Sequence, residues 1–404
     1  MSSQPDPAVA AGPAQIEARP TLALDLFSDE AIRDPHPLYR AIRDHAPAVW
    51  LSAHGVWALG RYQDARAALR ADEVLVSGRG VTLNEFVNDR PGSSVLTSDG
   101  DLHRRRRAVV MKPMTPRALA EVQTRIEALA EALIEELLAR DSFDGIADFA
   151  RHLPVAVVSH LVGLPEEGRE RMLDWGAAAF DASGPGNARA QAAAPVLLGM
   201  IEYVLGVERS RLPPDGWAAR VFQAVDDGKL DAEDARGLLT DYILPSLDTT
   251  IVGAGHLLYG LGAHPAQYDL VRANPALIPA AVDEALRFGS PVRGFTRFAL
   301  ARYETDTVTI PGGERVLILF GAANRDERHY ADPDRFDVTR ESRDHLAFGY
   351  GAHRCAGGYL AQLELESLLR AMVARVARIE VGAPRMLMSN MLYGYQSFPV
   401  TFRR

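Results

Sequence analysis

The chain has 404 residues, 47% of them hydrophobic and 24% charged. This is the composition of a globular protein long enough to bury a large core, and it excludes fibrous, repetitive and disordered classes. A formal net charge of -9 excludes a general nucleic-acid binder, which needs a basic surface to displace counterions from phosphates. A single cysteine, Cys355, can form neither an internal disulfide nor a Cys-rich zinc site, so a reducing, cytoplasmic setting is expected.

The opening "MSSQPDPAVAAGPAQIEARP" is proline-rich and lacks a basic segment followed by an apolar one. It reads as a flexible lead over residues 1–22, neither signal peptide nor anchor, ahead of one folded unit over 23–404. No uncharged apolar run reaches the roughly 18 residues a bilayer span needs. Helical spacing in "PHPLYRAIRDHA" gives way to strand-like "AVWLSAHGVWALG", turning at a glycine, and returns in "RYQDARAALRAD". Glu73 to Gly100 has poor periodicity and many turn formers, which predicts a long irregular loop of the functional kind.

Amphipathic helices are predicted in "RALAEVQTRIEALAEALIEELLAR" and over Ala190–Leu212, the latter after the break "FDASGPGNAR". Another long helix is predicted from Asp231, which can cap it, to Ala263. After "AAVDEALRF" come short β-like pieces, "GFTRFALARYETDTVTIPGGERVLILF", and the polar stretch "GAANRDERHYADPDRFD". A loop around Cys355, a helix from about Ala356 and short terminal strands complete the chain. The expected fold class is mainly α with small β-sheets, an α+β arrangement.

Cys355 lies in "HLAFGYGAHRCAGGYLAQLELE". Gly349 and Gly351 permit tight backbone geometry before it. The helix predicted after it aims free N–H groups and a positive dipole end at the sulfur, and both favour thiolate over thiol. Such a sulfur is a metal ligand or a nucleophile. His353, two residues away, is the nearest candidate base, which leaves a cysteine hydrolase as a competing reading.

The run Phe348, Gly349, Gly351, His353, Cys355, Gly357 resembles the cysteine-loop signature of the cytochrome P-450 superfamily, and further motifs follow that family's order across about Ala23 to Phe402. The resemblance implies the P-450 fold, with a long central helix over a bound haem b, iron protoporphyrin IX. It implies Cys355 as the axial thiolate ligand of the iron, with Phe348 beside it, pushing electron density towards O–O cleavage. "EALR" resembles the family's structural pair, Glu284 with Arg287, and Arg335 of "DPDRF" is the expected third partner. In "DGDLHRRRRAVV", His103 and Arg107 match the residues that hold a haem propionate, as do Arg297 and His345. Arg104, Arg105 and Arg106 read as a solvated basic face. In "ILPSLDTTIVGAG", Asp248 and Thr249 match the acid and alcohol that relay protons to bound oxygen.

The pattern departs just before that pair, where Pro245 and Ser246 stand in place of the family's small residues, commonly Ala-Gly. Proline has no N–H for the carbonyl of Asp241, so a kink is expected, with the Ser246 hydroxyl near the bound oxygen.

The texture is similar to the bacterial enzymes that demethylate para-substituted benzoates. That implies monooxygenation of a small aromatic or other hydrophobic substrate by O₂, as hydroxylation or O-demethylation, with Arg79, Thr82, Phe180, Leu244, Phe295 and Tyr395 in the pocket. Asp241 would repel a carboxylate if it faced that pocket, so a neutral aromatic is an equal expectation. Electrons are expected from a separate ferredoxin and ferredoxin reductase docking on Arg104–Arg106, Lys112 and Arg354. No nucleic-acid or membrane partner is expected. A haem sensor or electron-transfer protein is the alternative, but it would gain nothing from Asp248 and Thr249, and a peroxide-driven enzyme usually replaces them.

Overall fold

The computed structural model describes residues 19–89 and 93–404. Among them are sixteen α-helices, with sheets gathered around the two chain ends. The largest sheet has six strands in the order Thr21–Leu22, Val49–Leu51, Val56–Leu59, Arg315–Leu319, Gly294–Ala299 and Leu75–Val76. The Val49–Leu51 and Val56–Leu59 hairpin turns where Gly55 takes φ +62°. Alternation places Val49 and Leu51 in the core. Most of the expected lead lies outside the described residues. Thr21 and Leu22, however, already pair in parallel with Trp50 and Leu51, so ordered chain begins before residue 23. Arg19 seals that edge, bonding Glu314 at 2.6 Å with its guanidinium 4.1 Å over the Trp50 ring.

The predicted irregular loop from Glu73 to Gly100 contains a two-residue strand, Leu75–Val76, and a short helix, Glu85–Asn88, while residues 90–92 fall outside the described set. The Ala190–Leu212 prediction resolves into a helix over Ala188–Gly206 and a separate turn over Arg209–Arg211. The greatest departure is in the long helix. It is two helices, Ala232–Ile243 and Asp248–Ala263, separated by four bent residues. Pro245 is the cause, since it cannot donate to the Asp241 carbonyl. Hydroxyls cover part of what the break exposes: Ser246 donates to the Tyr242 carbonyl and Thr249 to that of Pro245, the latter at 3.0 Å.

The second of these helices is apolar on every side and is buried nearly throughout, as a core helix must be. No helix among the described residues is long and apolar enough to cross a membrane.

Glu284 and Arg287 lie on the Ile278–Gly289 helix with fully buried side chains. Arg287 grips the carboxylate with two bonds, at 2.7 and 2.8 Å, and donates to the carbonyls of Asn324 and Pro333. The carboxylate also accepts the Asp337 amide at 2.9 Å. The third partner is Arg340, whose Nε stands 3.4 Å from Glu284, and not Arg335, which is exposed and pairs with Asp337. Arg335 follows a turn at Asp332 that points it outward, whereas Arg340 folds back and donates to the carbonyls of Ala331 and Asp332.

Removing one member of a buried ion pair strands the other charge. Arg287→Met is therefore expected to cost about 3–5 kcal/mol in urea unfolding. Arg335→Ala should stay within about 0.5 kcal/mol of the parent. Equal losses in the two variants would contradict this assignment.

Candidate active site

The residues after His345 turn sharply because Gly349 and Gly351 take φ +67° and +73°, a region that favours glycine. A side chain at Gly351 would also run into the Leu69 carbonyl. The turn is closed by Cys355 N–H donating to the Phe348 carbonyl at 2.8 Å. It delivers Cys355 to the foot of the Gly358–Arg375 helix, with the sulfur opening into a cavity of about 320 Å³. Enclosure pushes the thiol up. The amides of Gly357 and Gly358, with Arg107 and Arg354, pull it the other way. The helix start expected to favour thiolate is present, but burial outweighs it. A metal cation on the sulfur would reverse that balance, because a coordinating thiol is deprotonated outright.

His353 does not serve as the base a hydrolase would need. Its ring packs on His103, centroids 4.1 Å apart, and its Nε2 stands 3.9 Å from Asp99. Burial among Arg297, His103 and Arg107 pushes it down to about 3.

Three cationic or donor side chains, Arg107, Arg297 and His353, line one end of the cavity, with His103 buried behind His353. Arg107 donates to the Arg354 carbonyl and Arg297 to that of Thr296, both backbone acceptors. Burial drags Arg297 down to about 10, and the buried His103 Nε2 has no hydrogen-bond partner. A buried and a half-buried arginine with an orphaned histidine nitrogen, near a cavity-facing sulfur, fit a metal-bearing cofactor with anionic arms, which is what haem presents.

His345 is a correction. Its Nδ1 accepts the Ala347 amide, its Nε2 stands 3.6 Å from Asp283, and it is not part of the cavity wall, whereas His353 is. The fixed two-residue spacing from His353 to Cys355 carried the signal for that exchange. Arg106 is a second correction: it is buried, bound to Asp234 at 2.6 Å, and so is not part of a solvated face.

Residues of the helix break line the same cavity as Cys355. Thr249 lines the wall, and Asp248 begins the helix that follows. Burial lifts Asp248 to about 7. Its own amide and Arg151 oppose the rise while Asp174 and Asp181 add to it, and its Oδ2 is buried without a partner. Ser246 also lines the cavity, although its hydroxyl proton is committed to Tyr242.

Of the residues expected in the pocket, Phe180, Leu244 and Phe295 line the cavity, with Val95, Trp217 and Val292 beside them in its wall. The other three expected pocket residues lie elsewhere. Arg79 is exposed with its guanidinium 5.0 Å from the Phe298 ring, and Thr82 bonds Asn84 and Asn88 within its own turn. Tyr395 packs behind the central helix on Tyr259, His256 and Phe398. Asp241 reaches the wall, but its carboxylate accepts the amides of Val95, at 2.8 Å, and Leu96, tying the helix end to that loop.

Glu364, on the helix after Cys355, carries no signal in the sequence, because the alternating acids of "QLELE" look like a solvated face. It is buried at the cavity, neither oxygen has a partner, and burial pushes it up to about 8. Between its ordinary value of 4.5 and about 8 the native state holds a proton that the unfolded chain has released. Its contribution to stability is therefore present below the lower limit and is lost as pH rises through the upper one. Glu364→Gln should flatten the fall of Tm from pH 5 to pH 8.5; an unchanged slope would show that other groups cause it.

A model of the cytochrome P450 family matches residues 214–377. Cytochrome p450 CYP199A2 of Rhodopseudomonas palustris is 36% identical over 387 residues, 94% of each chain. The 6-deoxyerythronolide B hydroxylase of Saccharopolyspora erythraea is 34% identical over 383 residues, 90% of this chain and 93% of that one. Among solved structures, a mutant of P450 EryK in complex with erythromycin B superposes with a TM-score of 0.80 at 31% identity, covering 92% of this chain and 97% of that one. CalO2 gives 0.82 at 28% identity, covering 94% and 99%. A cavity-facing sulfur met by backbone amides, cations fit for an anionic cofactor and a broken helix bearing an acid and an alcohol thus occur in a chain that belongs to the cytochrome P450 family, whose members are haem-dependent monooxygenases.

Proposed function

We propose that this P450 uses haem b, held by Cys355, to insert one atom of O₂ into a small neutral aromatic substrate, by hydroxylation or oxidative O-demethylation. Bound haem supplies the iron at which dioxygen is activated. The chain's own residues do the rest. Arg107, Arg297, His353 and His103 hold the anionic arms. Phe348, whose carbonyl accepts the Cys355 amide, lines the cavity beside it, and the amides of Gly357 and Gly358 steady the sulfur. Asp248 and Thr249 pass protons from solvent to the oxygen side of the cavity. Each turnover consumes two electrons and two protons, and the second oxygen atom leaves as water.

The observation that carries the substrate class is the composition of the wall. Phe180 and Phe295 offer flat apolar faces for a ring, and Leu244 and Val292 complete the apolar wall. Asp241 occupies the polar corner with its oxygens already engaged by backbone amides, and Arg79 lies outside. A carboxylate at that corner would meet an acid and no free cation.

Two measurements test this. Dithionite-reduced protein should show a strongly red-shifted carbon monoxide band, lost in Cys355→Ser; an unshifted band in the parent would remove the thiolate reading. In spin-state titrations, 4-methylanisole should bind at least tenfold more tightly than 4-methoxybenzoate, and Asp241→Ser should narrow that gap. A parent preference for the benzoate would overturn the neutral-substrate reading.

We further propose that the electrons come from an acidic ferredoxin, itself reduced by a ferredoxin reductase. Arg104, Arg105, Lys112 and Arg354 are exposed on the cysteine side, which supports a docking face there, without the buried Arg106. Reduction by such a donor should slow steeply between 50 and 300 mM salt, and Arg105→Glu should slow it at low salt. A flat response would count against electrostatic docking.

A further inference from the structure

The carboxyl oxygen Oδ2 of Asp248 is buried and bonded to nothing, an expensive state for any polar atom. What holds it there is shape. Gly176, buried on the Glu166–Ala182 helix, faces it directly. A methyl group built at Gly176 would overlap Oδ2, would stand 3.3 Å from the carboxyl carbon, and would press on the Leu244 carbonyl at 3.2 Å. The bare Cα is therefore a notch that receives both the acid and an exposed carbonyl of the helix break. Any other residue would fill it.

The same helix walls the substrate space. Ala179 and Phe180, three and four residues on and thus on the same face as Gly176, line the cavity. The height of this helix over the break sets two things together, the position of the substrate's ring and the room left for the acid. The charged groups around Asp248 are Arg151, Asp174 and Asp181, and none of them hydrogen-bonds Oδ2.

We propose that Gly176 is a positioning residue for Asp248: its missing side chain forms the cradle that keeps the acid's Oδ2 against the substrate-walling helix, in the place from which it serves proton delivery. This rests on the reading of Asp248 as the proton-relay acid. Gly176→Ala pushes the carboxyl out of the notch into the cavity. Electrons from the ferredoxin then arrive without correctly placed protons, and the oxygen leaves as hydrogen peroxide, a product that also takes two electrons and two protons per O₂.

The test uses the holoenzyme with 4-methylanisole and a reconstituted ferredoxin system, following formaldehyde, peroxide and NADH. Gly176→Ala should lower formaldehyde per NADH about tenfold, with peroxide making up the difference, at an unchanged carbon monoxide band. Turnover driven by added hydrogen peroxide, which brings its own oxygen and electrons, should stay within twofold of the parent; a merely displaced wall would slow both routes. The double variant with Asp248→Asn should be no worse than Asp248→Asn alone.

The inference is overturned if Gly176→Ala couples within twofold of the parent while Asp248→Asn does not. If Asp248→Asn itself couples normally, the underlying relay reading falls and takes the inference with it. Should Gly176→Ala fail to fold, Asp248→Ala in the same chain should restore the carbon monoxide band by emptying the notch; no restoration overturns the cradle.

Discussion

The site depends on one buried ion pair that joins three stretches of chain far apart in sequence. Glu284 and Arg287 are joined by two bonds, and Arg287 also holds the carbonyls of Asn324 and Pro333. Asn324 passes the connection on, because its side-chain oxygen accepts the amide of Leu346, and Gly349 N–H bonds the Leu346 carbonyl within the cysteine turn. A helix, the stretch after the sheet and the cysteine loop are thus one rigid object. Such a pair adds little net stability over an apolar replacement, since desolvation offsets most of its attraction. Its value lies in geometry: a ligand loop must be held within a few tenths of an ångström.

Around that fixed side the cavity is built by contrast. The cysteine side is rigid and cationic, made of glycine turns, backbone amides and the arginines Arg107, Arg297 and Arg354. The opposite side is apolar and interrupted, with Pro245 breaking a helix that would otherwise run through. The break exposes carbonyls, which hydroxyls and the notch at Gly176 then cover. Burial lifts Asp248 to about 7 because desolvation outweighs the pull of Arg151 and of its own amide, and no hydrogen bond reaches its Oδ2.

Local chemistry made part of this legible in the sequence. The glycines flanking Cys355, the Glu284–Arg287 spacing, the acid and alcohol at 248–249 and the proline before them each act within one turn of helix or loop. Their consequences were readable without a fold. The partners that come from elsewhere were not. Arg340 rather than Arg335 meets Glu284 because the chain after the turn at Asp332 carries Arg335 outward to Asp337 and folds Arg340 back onto the carbonyls of Ala331 and Asp332. His353 rather than His345 lines the cavity because Asp283, sixty-two residues upstream of His345, faces the latter ring. Arg106 is internal because Asp234 of another helix reaches it. Arg79, Thr82 and Tyr395 carried the right residue types for a pocket but point to neighbours outside it.

The sequence by itself determined the ligand loop, the cofactor class that loop resembles, the position of the helix break and a mainly helical fold, since each follows from backbone chemistry or fixed short spacing. Tertiary structure alone decided which helix is packed on Asp248, which charges are buried in pairs and which aromatic rings face the substrate. Those depend on distances between segments separated by tens to hundreds of residues, and periodicity along one chain carries no record of what lies across the gap.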